Sequence, residues 1–142
     1  MKKIILALAI AGFFTQVQAQ KLMTKNVPLA VTNAFSKAYP EIKDVEWSKD
    51  GINFEAEYDQ DKVDRSVTFN AAGDILESAV KIKASELPAG VMEYVKKTYD
   101  EDEVREAARI TDAKGMVTYE AEVKGNDLIF DSKGNFIKAI KK

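Results

Sequence analysis

The sequence predicts a two-layer α+β fold. One unit, a helix followed by three or four antiparallel strands, occurs twice, and both helices pack on one face of the sheet. Two patterns support this prediction. An apolar pattern of helical period occurs twice, 60 residues apart, and a strand-like alternation around two glutamates occurs twice, 65 residues apart. The order is the same in both halves, as in an internal repeat. Strands with one apolar face need a covering layer, which the helices supply.

Each copy begins with a predicted helix. In the first, within residues 27–39, the apolar positions fall at i, i+3, i+4 and i+7 and form one face. Pro28 near its first turn and Pro40 after its last favour these ends. The second helix, within residues 87–99, has the same pattern less regularly. The residues of the two faces are Val31, Ala34, Phe35 and Ala38, and Val91, Tyr94, Val95 and Thr98.

Strands are expected after each helix. In the segment 52–58 the apolar residues, starting with Ile52, alternate with polar ones, which is typical of a strand with one buried face. The segment 103–110 has the propensity of a helix, but its place in the repeat favours a strand. The second copy is four residues shorter in the turn after its glutamate strand, and Gly73 and Gly134 sit in the hairpins that follow. The predicted strands are 44–48, 52–58, 63–69, 74–83, 103–110, 117–123, 128–130 and 135–140.

The first 19 residues have the pattern of a secretory signal peptide. Lys2 and Lys3 precede an apolar run at 4–14, and Ala19 ends a small-residue cleavage signal. The run is too short to cross a bilayer, which needs about 20 apolar residues. No cysteine follows the run, which excludes a lipoprotein anchor. We therefore expect cleavage after Ala19 and a periplasmic or secreted mature chain without a membrane span.

The expected mature chain, residues 20–142, is long enough for one domain with a buried core, made of two repeats at about 27–83 and 87–140. It has 19 basic and 23 acidic residues, a net charge of −4, and lacks the basic patch of nucleic-acid-binding proteins. It has no histidine and no cysteine, which excludes Ser-His-Asp and Cys-His catalysis, the usual zinc ligand sets and disulfides. We expect no cofactor, no metal site and no catalytic residue.

Two pairs of glutamates are the candidate functional residues. Glu55 and Glu57 lie in FEAEYD, and Glu120 and Glu122 lie in YEAEVK. Residues two apart on a strand share a face, with side chains about 6–7 Å apart, which suits an acid/base pair or two ligands of one calcium ion. The simpler interpretation is a solvated sheet face, where glutamate is an ordinary residue. Duplication alone accounts for the repetition, so the repetition is no evidence of catalysis.

Trp47 is the single tryptophan of the chain, and the sequence leaves two positions open for it. If Trp47 alternates inward with Val45, it belongs to the core, where large aromatic residues usually lie. If the alternation slips by one residue, Trp47 stands on the open face of the sheet as a binding anchor. It is therefore kept among the candidate binding residues.

Several segments together resemble the PepSY-like secreted proteins. These are the helix end AYP, the strand patterns WSKDG and FEAEY, and the hairpin FNAAG, within a resemblance that runs from about residue 27 to 140. The resemblance implies a tandem α/β repeat, shared with the beta-lactamase inhibitor protein fold, and a location outside the cytoplasm. PepSY domains are associated with restraint of peptidases, and the lactamase inhibitor grips its enzyme with one sheet face and loops. No segment here matches those enzyme-contacting loops, so lactamase inhibition does not carry over.

Residues and resemblance together predict a non-enzymatic extracytoplasmic binding module, a candidate inhibitor or modulator of a peptidase or other secreted enzyme. Its expected partner is an extracytoplasmic protein rather than nucleic acid. The alternative is a sensor that binds a small ligand or a cation on the acidic face. Both hypotheses place binding on an exposed sheet face, whose candidate residues are Glu55, Glu57, Glu120, Glu122 and Trp47.

Overall fold

The protein divides into two compact units, the first ending at Ser78 and the second beginning at Ala79. A computed structural model describes residues 20–100 and 103–141. The predicted signal peptide, residues 1–19, lies outside the described residues. None of the helices in the described part is long and apolar enough to cross a membrane.

The first unit consists of one helix and antiparallel strands in chain order. Strand β1 pairs with β2, β2 with β3 and β3 with β4, each time antiparallel. A further strand, β5, runs across the division between the units. The elements are β1 (Gln20–Leu22), α1 (Leu29–Ala38), β2 (Glu46–Asp50), β3 (Asn53–Gln60), β4 (Val63–Phe69) and β5 (Ile75–Ile82).

The second unit repeats this arrangement. Strand β6 pairs with β7, β7 with β8 and β8 with β9, all antiparallel, with a register shift between Ile129 and Phe130. A short 3₁₀ turn precedes the helix in each unit, at Thr24–Asn26 and Ala84–Glu86. The elements are α2 (Ala89–Tyr99), β6 (Glu106–Asp112), β7 (Val117–Val123), β8 (Asn126–Asp131) and β9 (Phe136–Lys141).

Each helix covers the apolar face of the strands in its own unit. Pro28 and Pro88 stand immediately before the first helical residue, where the missing N–H costs nothing. In α1 the buried residues are Val31 and Phe35, and in α2 they are Val91 and Val95. The first core also contains Val27, Trp47, Phe54, Ala56, Tyr58, Val67 and Phe69, and the second contains Leu87, Val104, Ala107, Ala121, Val123, Leu128 and Phe130.

Trp47 belongs to the core of the first unit and is only 2% exposed. Its ring meets Phe35 edge-on at 5.5 Å and lies 6.3 Å from Phe69. Of the two positions that the sequence left open, the inward one is correct. The assignment of Trp47 to an exposed binding face is wrong, because α1 covers the side of β2 from which it projects.

The predicted α+β class and the antiparallel strand order are confirmed. The segment 103–110 is a strand from Glu106 onward, as the repeat predicted against its propensity. One prediction within 52–58 is wrong: Ile52 is 82% exposed, because it lies in the turn after Gly51 and β3 begins at Asn53. Strand β1 had no signal in the sequence, since its three residues are too few to show alternation.

The length difference between the two copies lies in the strands rather than in the turn. Both central hairpins close with two residues of positive φ, Asp61 and Lys62 in the first unit and Lys124 and Gly125 in the second. These two-residue turns match the twist of the flanking strands. The first hairpin has seven paired positions from Phe54 to the turn, and the second has five from Tyr119. The predicted shortening of a turn is therefore a shortening of two strands.

Candidate functional site

The glutamates of both repeats project from the side of the strands that the helices do not cover. In β3, Phe54, Ala56 and Tyr58 enter the core, so alternation directs Glu55 and Glu57 to the opposite side. In β7 the same alternation applies to Glu120 and Glu122. We call this side the polar face of each unit. The predicted separation of apolar and acidic residues onto two sides is present in both copies.

Cross-strand neighbours give the first polar face two rows. Glu46, Glu57 and Ser66 are partners across β2, β3 and β4. The second row consists of Ser48, Glu55 and Thr68 across the same strands. Partners on one side of an antiparallel pair have Cβ atoms about 5 Å apart, so Glu55 lies between two hydroxyl-bearing side chains.

Three of the four glutamates are buried, contrary to the prediction of an exposed face. Glu55, Glu120 and Glu122 are 4%, 7% and 8% exposed, and Glu57 is half-buried. Both β3 and β7 have a partner strand on each side, so side chains of three adjacent strands crowd around each carboxyl group. A polar strand face was predicted correctly, but its accessibility was not.

Burial changes the chemistry of Glu55. It raises the pKa of this carboxyl from 4.5 to about 8, and the nearby charges of Glu57, Asp50 and Glu77 act in the same direction. A hydrogen bond from Ser66 opposes the rise with a smaller effect. Glu55 is therefore mostly protonated at pH 7, so its carboxyl group can donate a hydrogen bond.

The equivalent residues of the second unit have a different environment. Glu122 accepts a hydrogen bond from the Nη1 atom of Arg105 at 3.5 Å, and Lys81 lies 3.9 Å from Glu106, the cross-strand partner of Glu122. Glu120 has Ala108 and Ile129 as partners in place of two hydroxyls. The repeat has kept the glutamates but has changed the residues around them.

The described residues include no group of three or more His, Cys, Asp or Glu side chains arranged to hold a metal ion.

At the end of the first hairpin, Asp59 and Asp64 are cross-strand partners. A hydrogen bond with Asp64 raises the pKa of Asp59 above its ordinary value.

A second group of polar residues lies on the helix side of the first unit, at the end of α1. Tyr39 directly follows the helix, and its ring centroid is 5.1 Å from that of Tyr58. Arg65 is the cross-strand partner of Tyr58 and shares its side of the sheet. Neither Tyr58 nor Arg65 was predicted from the sequence as a site residue. The sequence does contain a sign of this group, because Arg65 falls on the apolar side of its strand, at the position where the second repeat has Asn126.

Comparison with protein families confirms the resemblance to PepSY-like proteins. A family model described as "Putative beta-lactamase-inhibitor-like, PepSY-like" matches the chain twice, over residues 13–77 and 61–138. The two matches overlap at residues 61–77. No curated protein matches the sequence.

Solved structures with a similar fold come from Bacteroides species. A DUF2874 family protein from Bacteroides uniformis is 22% identical, with a TM-score of 0.69 over 79% of this chain and 87% of that one. A protein from Bacteroides eggerthii, described as a putative periplasmic protein, is 18% identical, with a TM-score of 0.67 over 80% and 87%. A BLIP-like protein from Bacteroides fragilis is 20% identical, with a TM-score of 0.57 over 78% and 82%. At these identities the likeness establishes the fold alone.

Proposed function

Because this chain belongs to the beta-lactamase-inhibitor-like, PepSY-like family, we propose that it is a non-enzymatic binding module that acts outside the cytoplasm. In this proposal it docks on a peptidase or another secreted enzyme and modulates its activity. The match of both repeats to an inhibitor-like family is the observation that carries the proposal. The description of the Bacteroides eggerthii relative as periplasmic supports the location.

The composition supports a binding role over catalysis. The sequence has no histidine and no cysteine, so carboxylates, lysines and hydroxyls are the groups left for proton transfer. Glu55 has the raised pKa of a general acid, and the charge of Glu57 contributes to the rise, but Glu55 is only 4% exposed and offers a substrate little access to its carboxyl group. An acid/base mechanism needs two groups whose pKa values are driven apart at one reacting bond.

The most accessible part of the first polar face is acidic. The Glu46 side chain is 47% exposed, and its cross-strand partner Glu57 is half-buried. We call these two residues the acidic rim. The Nζ atom of Lys21 lies 3.3 Å from Glu46 in an exposed ion pair. A lysine- or arginine-rich surface of a partner enzyme would be complementary in charge to these two carboxylates, so we propose the acidic rim as the docking surface.

Affinity capture with charge-reversal variants tests this surface. The tagged protein, a Glu46→Lys/Glu57→Lys double variant and a Glu93→Lys control are each incubated with periplasmic extract. Glu93 is exposed on α2 in the other unit, so the control changes charge without touching the rim. We expect the parent and the control to retain the same hydrolase and the double variant to lose most of it.

Two results would count against this proposal. Retention of the same proteins by all three baits would exclude the acidic rim, and recovery of no protein partner would remove the basis for a docking role. The alternative function, a small-ligand or cation sensor, remains a prediction. Calorimetric titration with calcium tests its cation form, which requires both measurable heat and a raised melting temperature.

A further inference from the structure

We propose that Tyr39, Tyr58 and Arg65 form a binding site for a carboxylate anion in the first unit. The three residues meet on the helix side of the strands, where α1 ends. Tyr58 and Arg65 are direct partners on β3 and β4, so their side chains project to the same side. Tyr39 follows the last residue of α1 and brings its ring against that of Tyr58. This site is separate from the polar face and does not depend on it.

The two tyrosines form a hydrogen-bonded pair. Their ring centroids are 5.1 Å apart at a tilt of 46°. Burial raises the pKa of Tyr58 well above its ordinary value, and the closeness of Tyr39 and the hydrogen bond between the two hydroxyls add to the rise. A phenol hydroxyl is both a donor and an acceptor. One hydrogen bond between the two hydroxyls therefore leaves one hydroxyl hydrogen that can donate to a ligand, and donation along such a chain strengthens each bond.

Arg65 has a charged donor group with no acceptor in the described part of the chain. Its Nε atom is buried and makes no hydrogen bond. The acidic residues next to the pair in sequence, Glu57, Asp59 and Asp64, alternate to the other side of the strands. Arg65 as a whole is only half-buried, so part of the residue is open to solvent. Buried donors without acceptors are rare and costly, most of all in charged groups.

The second unit shows that the fold does not require this group. Val123 and Asn126 take the places of Tyr58 and Arg65 beside the shorter hairpin. The Asn126 amide donates to the carbonyls of Val123 and Lys124 at 3.4 and 3.3 Å. The Nζ atom of Lys124 donates to the carbonyl of Tyr99, the counterpart of Tyr39, at 3.0 Å. Hydrogen bonds within the second unit therefore satisfy the polar side chains at this position. The first unit has Arg65, Tyr39 and Tyr58 there instead.

The surroundings favour a carboxylate over phosphate. A guanidinium group can bind either anion with two parallel hydrogen bonds. However, Tyr39 lies at the C-terminal end of α1, where the helix dipole contributes partial negative charge. The net charge of the whole sequence is also negative. Both features weaken the binding of a phosphate dianion more than that of a carboxylate with a single charge.

A titration followed by NMR tests the proposal. Acetate and inorganic phosphate are added separately to the ¹⁵N-labelled protein at matched ionic strength, with sodium chloride as reference. We expect acetate to cause saturable shifts of the amides of Tyr39, Tyr58 and Arg65, at lower concentration than phosphate. Arg65→Gln should weaken acetate binding by at least about tenfold. Arg109→Gln is the matched control and should leave it unchanged, because Arg109 also lies opposite a tyrosine but is exposed.

A second variant covers the case in which Arg65→Gln does not fold. Tyr39→Phe keeps the ring but removes the hydroxyl, and it should weaken acetate binding while the far-UV circular dichroism stays unchanged. Shifts that do not saturate, or that sodium chloride reproduces, would overturn the proposal. Equal acetate affinity in the parent and in both the Arg65→Gln and Tyr39→Phe variants would also overturn it. Tighter binding of phosphate than of acetate would contradict the assignment to carboxylates.

Discussion

The chemistry of Glu55 depends on its position in the fold. Its carboxyl group is buried between two hydroxyl-bearing neighbours, and its pKa is raised to about 8. In the unfolded chain the same group has its ordinary pKa of 4.5. Between these two values the folded state holds a proton that the unfolded state has lost, so stability falls as pH rises through this window. Below pH 4.5 Glu55 is protonated in both the folded and the unfolded state, so its full contribution to stability is present there.

We predict that Glu55→Gln reduces the pH dependence of stability. The amide has nearly the shape of the protonated carboxyl and does not ionise. As pH rises from about 5 to about 8, the parent should lose on the order of 1 kcal/mol of stability for each pH step of about one, and the variant should lose less. Melting temperatures across this range measure the difference. Glu41→Gln, at an exposed position, is the control. Parallel curves for the parent and Glu55→Gln would show that Glu55 is not buried as described.

The sequence predicted the side of the sheet for each glutamate but not its exposure. Alternation in FEAEYD places Glu55 and Glu57 opposite Phe54 and Ala56, and this is correct. Exposure depends on how closely residues distant in sequence, such as Ser48 and Thr68, pack around the carboxyl group. A strand pattern carries no information about that packing.

At the scale of elements, each helix begins against the last hairpin of its own repeat. A Cβ atom on Gly73 would lie 2.6 Å from the carbonyl oxygen of Ala30 in α1. One on Gly134 would lie 2.9 Å from the Cβ of Pro88. Both glycines also have positive φ, +90° and +86°. The glycine at the end of FNAAG and FDSKG therefore allows a close approach of hairpin and helix as well as a turn.

We predict that Gly73→Ala destabilises the protein by about 2 kcal/mol more than Gly51→Ala. Both glycines have positive φ, so both variants carry the conformational cost of a side chain in that region. Only at Gly73 does the new methyl group collide with backbone, since nothing lies within 4 Å of the Cβ position at Gly51. Urea denaturation measures the two values. Equal losses would contradict the close packing of hairpin against helix.

The predictable elements were those with a repeated or periodic pattern. Local periodicity and turn residues predict both helices and the hairpin glycines. They also predict the three strands between residues 52 and 83 and the strand at 117–123. The strand at Glu106–Asp112 was predictable only through the repeat, because its own propensity favours a helix. The sequence assigned the extra length of the β3–β4 hairpin to its turn, whereas the structure has it in the two strands. Sequence spacing cannot distinguish a longer loop from two longer strands.

At the scale of the whole molecule, one ancestral unit has acquired two different sets of side chains. The first unit has a protonated Glu55, an acidic rim and the group of Tyr39, Tyr58 and Arg65. The second has ion pairs at Glu106 and Glu122 on its polar face. The resemblance to PepSY-like proteins made the fold predictable from about residue 27 to residue 140. The divergence between the units was not predictable, because it depends on single substitutions at equivalent positions.

The proposed role as an inhibitor or modulator is tested most directly by the activity of a captured partner. The hydrolase recovered from periplasmic extract is assayed with increasing amounts of the protein, and separately with the Glu46→Lys/Glu57→Lys variant. We predict a saturable change in hydrolysis rate with the parent, a much weaker change with the double variant, and no hydrolysis by the protein alone. An unchanged rate at saturating protein, or hydrolysis of the substrate by the protein itself, would contradict a non-enzymatic modulator that docks through its acidic rim.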